Sequence, residues 1–334
     1  MDGQWNLKRN FHKRKHVTLK GEMCGGSFGF LDSLKSLINK TLPDRVVVFW
    51  DGYRSGQYRY EIYPPYKAKR KNYWANEDRV IMSEGVFNNE RDREKAEILN
   101  QKIVVQNYLE ELFIRQIEVD FVEADDLIAY YILNSNIKDE KIYIYSRDGD
   151  FPQLVSENVS IISPDSYNSI TIDNFKEKNG YVVENALLFK CFEGDSSDEI
   201  SGVFGISKKN LLKHFPEMAN ERYTYQRMVE ESLEKKKTHK IKFYDKIIEA
   251  GDILYRNARL MNLKKPFMDE PSKKEMEKII HGYLGHSRDI KSAMKKFISD
   301  GYTPFLYSMS VDDFFGPYYR LLLKERDYEN KMKL

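Results

Sequence analysis

Three apolar runs, each leading into carboxylates, constrain this chain more than any other feature. Arg45 to Trp50 (RVVVFW) is continuous and β-branched, and it ends on Asp51-Gly52. Ile117, Val119 and Phe121 alternate with polar residues and lead into Glu123, Asp125 and Asp126. Lys141 to Tyr145 (KIYIY) alternates and leads into Asp148 and Asp150. Such runs predict buried or half-buried strands. Further short strands are expected over Val159 to Ser163 and Ser169 to Ile172. A helical period starts at Phe28, where Phe30, Leu31, Leu34, Leu37 and Ile38 share a face. Helices are also expected over Glu90 to Phe113 and Glu123 to Leu133. Strands interleaved with helices predict an α/β fold with a central, mostly parallel sheet flanked by helices. After about residue 180 the strand signal fades and the pattern turns helical, which sets a soft boundary there. The first 27 residues are polar and glycine-bearing, with no element read in them. Residues 53–90 are rich in Tyr, Arg, Lys and Asn around Pro64-Pro65, without an apolar stripe. A polar segment of that length inside a compact domain is usually functional.

Composition narrows the function classes. Apolar residues make up 41% of 334, enough for a real core. Net charge is +2, so no uniformly basic coat exists and phosphate-binding charge must be sorted locally. The basic block Lys8, Arg9, Lys13, Arg14 and Lys15 reads most simply as a solvated tail. Cys24 and Cys191 have no zinc or disulfide spacing, which makes the reducing cytoplasm the default location. No apolar run is long enough for a membrane span. The six histidines lack metal spacing, and neither a P-loop nor a nucleophile elbow occurs.

In an open parallel sheet, residues just past the strand C-termini line one crevice. Asp51, Glu123, Asp125, Asp126, Asp148 and Asp150 would therefore meet, with Asp195 and Asp198 of GDSSD as a further close pair. Unpaired carboxylates so gathered repel and rise in pKa unless cations join them. Oxygen-only donors suit Mg²⁺ or Mn²⁺. Two such ions roughly 3.5–4 Å apart can clamp the attacking and leaving oxygens of a phosphodiester. Each motif alone has a plainer explanation. Acids favour helix N-termini through the dipole, and Asp is common beside glycine in turns. Their joint occurrence after successive strands favours the metal reading.

These residues resemble a known family. Val122 to Ala129 (VEADDLIA), Tyr145 to Val155 (YSRDGDFPQLV) and Phe192 to Ile206 (FEGDSSDEISGVFGI) are similar to motifs of the flap endonuclease and 5′-3′ exonuclease family. Asp51 to Arg70 (DGYRSGQYRYEIYPPYKAKR) resembles the same family, and the likeness extends to about residue 263. The size resembles its stand-alone, bacteriophage-type members. The resemblance implies a PIN-like 5′-nuclease core over residues 1–180, with a helical arch over about 66–90. It also implies a helical region over 181–263 with a helix-hairpin-helix-type (H3TH) element, and it leaves 264–334 as a helical tail of unknown role.

Carried over residue by residue, the resemblance implies a first metal held by Glu123, Asp125, Asp126 and Asp148, with Asp2 and Asp51 nearby. It implies a second metal served by Asp150, Asp195 and Asp198. Lys67 and Arg70 would contact the scissile phosphate from the arch base, in a catalytic role. Arg59 matches the family's arginine in this stretch and would serve DNA binding, and Tyr66 and Tyr73 would stack on a terminal base. Gly202, Gly205 and Ile206, with Lys208 and Lys209, would approach duplex phosphates, with K⁺ as the monovalent cation of that loop. Two departures stand out. Asp2 matches a motif that ends a β-strand in the family, yet the chain starts one residue earlier, so the first strand is expected to be missing. Ser207 stands where the family prefers glycine, which would loosen the cation loop.

The implied activity is metal-dependent hydrolysis at 5′ flaps, nicks, 5′ ends or RNA primers on DNA, by a monomer in the cytoplasm. The rival readings are a DNA-junction-binding protein with impaired catalysis and a single-strand ribonuclease on a related fold. A sliding clamp or single-strand-binding protein would be a further partner. Its only sequence hint is Ser308 to Phe315 (SMSVDDFF), for which helix packing of Phe314 and Phe315 is the plainer account.

Overall fold

The computed structural model describes residues 1–68, 90–134, 140–239, 241–282 and 289–331. Its sheet is built from the apolar runs. β1 (Val47–Asp51) pairs in parallel with β2 (Arg115–Val119), in a register that sets Asp51 beside Val119. β3 (Ile142–Tyr145) pairs in parallel with β4 (Val159–Ile162), and β5 (Ser169–Ile170) adds an antiparallel edge.

The chain start joins these two groups. The Met1 carbonyl accepts from the Phe49 amide at 3.0 Å, and the Asp2 amide donates to the Tyr145 carbonyl at 3.4 Å. The Met1 amine also donates to the Val47 carbonyl at 2.8 Å. Met1 and Asp2 thus lie between β1 and β3, with Asp2 forming an isolated parallel bridge to Phe49. The spatial order is β2, β1, Met1–Asp2, β3, β4, β5. As expected, no strand precedes α1 among the described residues; an isolated bridge at Asp2 stands in that place.

α1 (Gly3–Lys13) and α2 (Gly25–Thr41) correct one expectation, since the first 27 residues carry a full helix. Asp2 caps α1 by accepting from the Trp5 amide at 2.8 Å. α3 (Gln57–Ile62) follows β1, and α4 (Glu90–Glu111) leads into β2. α5 (Ala124–Asn134) returns from β2 towards β3. Beyond β5 come α6 (Ile172–Asn179), α7 (Ala186–Glu193) and a short ribbon pairing Gly194–Asp195 with Ile200–Ser201. α8 (Lys208–His214), α9 (Tyr225–Thr238), α10 (Lys242–Glu249) and α11 (Gly251–Met261) complete the helical region.

The tail folds back as α12 (Glu270–His281), α13 (Ile290–Ser299) and α14 (Val311–Lys331). One apolar cluster runs from Phe49 and Ile117 through Phe192 and Leu211 to Met276, across residue 180. A second joins α1, α2 and α4 to Phe297, Phe314, Phe315 and Tyr318 of the tail. Phe314 and Phe315 are therefore core residues, and SMSVDDFF is not presented as a clamp-binding peptide. The expected arch falls mainly on 69–89, which lie outside the described residues, as do Arg70 and Tyr73. No described helix is long and apolar enough to cross a membrane.

Candidate active site

Strand ends and the chain start converge on one set of acids. Asp51 closes β1, and its Oδ1 accepts from the Ala124 amide at 2.9 Å. The Gly52 amide donates to the Val122 carbonyl at 3.0 Å, which ties the end of β1 to the start of α5. Asp125 and Asp126 occupy the first turn of α5, where the helix dipole favours acids. One oxygen each of Glu123, Asp125 and Asp126 lies within 4.8 Å of the others. Just past β3, the Ser146 hydroxyl donates to Asp2 Oδ2 at 3.4 Å and accepts from the Asp148 amide at 3.2 Å. Asp148 Oδ1 then accepts from the Asp150 amide at 2.8 Å. Asp195 accepts from the Ser197 amide at 2.7 Å, which fixes the GDSSD turn.

The acids divide into strained and satisfied carboxylates. Burial pushes Asp2 up to about 7, with Asp51 and Asp148 adding repulsion against the Trp5 hydrogen bond. Burial likewise pushes Asp150 up to about 7, with Asp148 adding to it and Lys190 opposing. Asp125 is raised by burial and by Asp126 and Glu123, against Arg59. Glu123 is brought down to about 2, because Lys67 and Arg59 outweigh its burial. Asp195 also falls to about 2, because Lys190 and Ser197 outweigh burial. An all-oxygen donor set with buried, mutually repelling carboxylates fits a hard divalent cation.

Two lysines meet these acids. Lys67 adopts a left-handed backbone (φ 45°), a conformation that side chains other than glycine hold only when the surroundings enforce it. Here its amide donates to the Asp198 carbonyl at 3.0 Å. Its ammonium pairs with Glu123 and lies 3.6 Å from Asp198 Oδ2. Burial alone would lower its pKa, but Glu123, Tyr66, Asp198 and Asp125 keep it well above the ordinary value. Lys190 on α7 lies 3.0 Å from Asp150 and 2.6 Å from Asp195. Sequence reasoning did not single out Lys190. The available signal was a lone cation in an otherwise apolar helix (ALLFKCFE) directly before GDSSD.

The sequence matches the family described as 5'-3' exonuclease, N-terminal resolvase-like domain, over residues 1–180. The chain belongs to that family. It is 30% identical to a 5'-3' exonuclease of Aquifex aeolicus over 66% of this chain and 70% of the relative. It is 29% identical to the thermostable DNA polymerase I of Thermus filiformis, over 64% of this chain but only 23% of the polymerase. A T5 5'-exonuclease structure with divalent metal ions (zinc) bound superposes with a TM-score of 0.63 at 21% identity, covering 84% of this chain and 96% of that one. A T5 flap endonuclease structure in a pseudo-enzyme-product complex with DNA and metal ions gives 0.59 at 19%, covering 90% and 97%. At those identities the likeness establishes a shared α/β nuclease fold.

The fold moves several residues of this exonuclease-family chain away from their expected roles. Arg59 is only 3% exposed and is not a DNA-contacting surface arginine. Its guanidinium binds Asp126 through both terminal nitrogens, one of which also reaches Glu123, while Nε donates to the Leu260 carbonyl at 2.9 Å. Burial would lower its pKa, but Asp126, Glu123 and Asp125 hold it well above the ordinary value. Tyr66 is 2% exposed and is not available for stacking on a base. Its hydroxyl instead donates to Glu123 Oε2 at 2.9 Å. Asp126 belongs to the acidic group, yet its Oδ1 accepts from Arg59 and from the Phe267 amide, and its Oδ2 from Arg59. Asp198 faces Lys67 and Tyr66, on the Glu123 side of the site, rather than only Asp150 and Asp195.

At the glycine turn, the Gly202 backbone lies against α7. A Cβ there would sit 2.3 Å from the Phe192 carbonyl oxygen, so internal packing already requires this glycine. The Ile206 side chain is buried in the core. Ser207 caps α8 by accepting from the Asn210 amide, which gives that departure from the family pattern a local purpose. Lys209 is exposed and Lys208 half-buried beside the turn.

Proposed function

We propose that this chain is a divalent-metal-dependent 5′-nuclease that hydrolyses phosphodiester bonds near free 5′ ends of DNA, flaps and nicks above all. RNA paired to DNA is the second substrate class. The observation that carries the reading is the cluster of Glu123, Asp125 and Asp126, with Asp2 repelled by Asp51 and Asp148 and with two half-buried lysines, Lys67 on Glu123 and Lys190 on Asp150 and Asp195. The strained carboxylates Asp2, Asp125 and Asp150 would hold the ions, with Asp51, Glu123, Asp148, Asp195 and Asp198 beside them. Magnesium or manganese suits such donors. When bound there, a divalent ion supplies Lewis acidity and a water of lowered pKa.

The chain's own residues do the rest. Lys67 and Lys190 neutralise acids until a substrate phosphate brings competing charge, and Lys67 is then placed to donate to a phosphate oxygen. Arg59 and Tyr66 position Glu123 rather than touch substrate. The turn Gly202 to Ile206, with Lys208 and Lys209, would take duplex phosphates. K⁺ would be the monovalent cation of that turn, beside Lys246, whose ammonium donates to the Phe204 carbonyl. Arg70 and Tyr73 keep their proposed substrate contacts. The test is cleavage of a 5′-labelled flap duplex with Mg²⁺ and with EDTA. Release of short 5′ products only with the metal supports the reading, and equal release under EDTA contradicts it.

A further inference from the structure

The turn after the GDSSD segment carries an apolar side chain that no internal contact explains. Phe204 is 90% exposed, whereas its neighbours Val203 and Ile206 are buried. The turn is held firmly in this posture. The Val203 amide donates to the Phe192 carbonyl at 2.8 Å, and the Ile206 amide to the Val203 carbonyl at 3.0 Å. Lys246 reaches across from α10 and donates to the Phe204 carbonyl at 3.0 Å, with its ammonium 5.2 Å from the phenyl centroid. Gly205, at φ +77°, leaves room for that ammonium, since a Cβ there would sit 2.4 Å from Lys246 Nζ. The backbone of the turn thus carries the phenyl ring outward beside Lys246, and Lys208 and Lys209 open the helix that follows. Glu193 accepts from the Lys208 amide at 3.0 Å.

We infer that Phe204 is a nonionic duplex contact, packing on the sugars at a groove edge while Lys246, Lys208 and Lys209 take the flanking phosphates. The occupant follows from charge and shape. An exposed apolar ring beside Lys246, with Lys208 and Lys209 at the start of the next helix, suits a polyanion with apolar sugar faces between its phosphates. The turn's backbone is already held, so binding need not order it. The inference rests on the proposal that this turn binds duplex DNA.

The experiment is fluorescence anisotropy with a labelled 5′-flap duplex in EDTA, at several salt concentrations. It compares the parent protein with Phe204→Ala, Phe204→Leu and the double variant Lys208→Met/Lys209→Met. Ring truncation is expected to weaken binding about five- to tenfold without changing the slope of log affinity against log salt. Phe204→Leu should restore most of the loss. The double lysine variant should reduce the slope by about 1–2, because each phosphate contact contributes about 0.9. If Phe204→Ala binds within about twofold of the parent while the lysine variant weakens, the Phe204 assignment is overturned and the duplex role of the turn stands. If neither variant changes binding, the turn is not a duplex surface and both proposals fall. Phe204 lies outside the core, so folding of its variants is not at risk.

Discussion

Arg59 shows how one side chain's role changes once its neighbours are known. A surface arginine on a phosphate would weaken DNA binding on removal and leave stability intact. Arg59 instead pairs with Glu123 and Asp126 in the interior, so Arg59→Met leaves buried carboxylates uncompensated. The expected loss of stability is about 3–5 kcal/mol, read by urea unfolding of the metal-free protein. A change under about 1 kcal/mol would return Arg59 to the surface role. Asp2 and Asp150 give a second residue-level prediction. Their folded pKa values, near 7, lie above the ordinary carboxylate value, so between about pH 4 and 7 the folded state binds more protons than the unfolded one. Stability from this source is complete below the unfolded pKa and is lost as pH rises through 7. The buried Met1 amine, brought down to about 5, opposes this over the same range. Two carboxylates outweigh one amine, so metal-free protein should melt at a slightly higher temperature at pH 6 than at pH 7.5, and adding Mg²⁺ at pH 7.5 should recover the difference. A melting temperature that rises steadily from pH 6 to 7.5 without metal would contradict the strained-carboxylate account.

At the scale of elements, the strands and the helices after them were legible because their apolar periods are clean. Val47–Asp51, Arg115–Val119, Ile142–Tyr145 and Val159–Ile162 lie within about two residues of their expected places. α1 was hidden for a physical reason. Its buried face includes Asn6 and Asn10, and Asn10 donates to the Asn6 carbonyl and to the Ser33 hydroxyl across to α2. Leu7 and Phe11 are its only large apolar residues on that face, too few to read as a stripe. The bridging role of Met1–Asp2 was equally hidden, since two residues have no period. The carboxylates of the site were legible from their place after strands. The ion pairs of Lys67, Arg59 and Lys190 depend on distant segments meeting and could not be read. Gly202 supplies the test at this scale. Gly202→Ala brings a methyl against the Phe192 carbonyl and should displace the turn, lowering thermal stability by several degrees and weakening duplex binding. Unchanged stability would mean that the close approach at α7 does not fix the turn.

Across the whole molecule, the tail is part of the fold rather than an appendage. Tyr318 donates to the Leu31 carbonyl, and Phe28 packs against Phe297 and Phe314. Arg115 of β2 binds the Gly282 carbonyl at 2.8 Å just past α12. Phe314→Ala should therefore cost about 3–5 kcal/mol of stability. Loss of a partner's binding without loss of stability would contradict the core assignment. The central claim is that the acids gathered at the chain start and the strand ends run metal-dependent cleavage at 5′ ends. Its most direct test is the rate of 5′-product release from a labelled 5′-flap duplex in Mg²⁺, for the parent and for Asp148→Asn, with duplex affinity measured in parallel. The account predicts that Asp148→Asn loses more than about 100-fold in rate while binding the duplex about as tightly as the parent. Full cleavage by Asp148→Asn would contradict it.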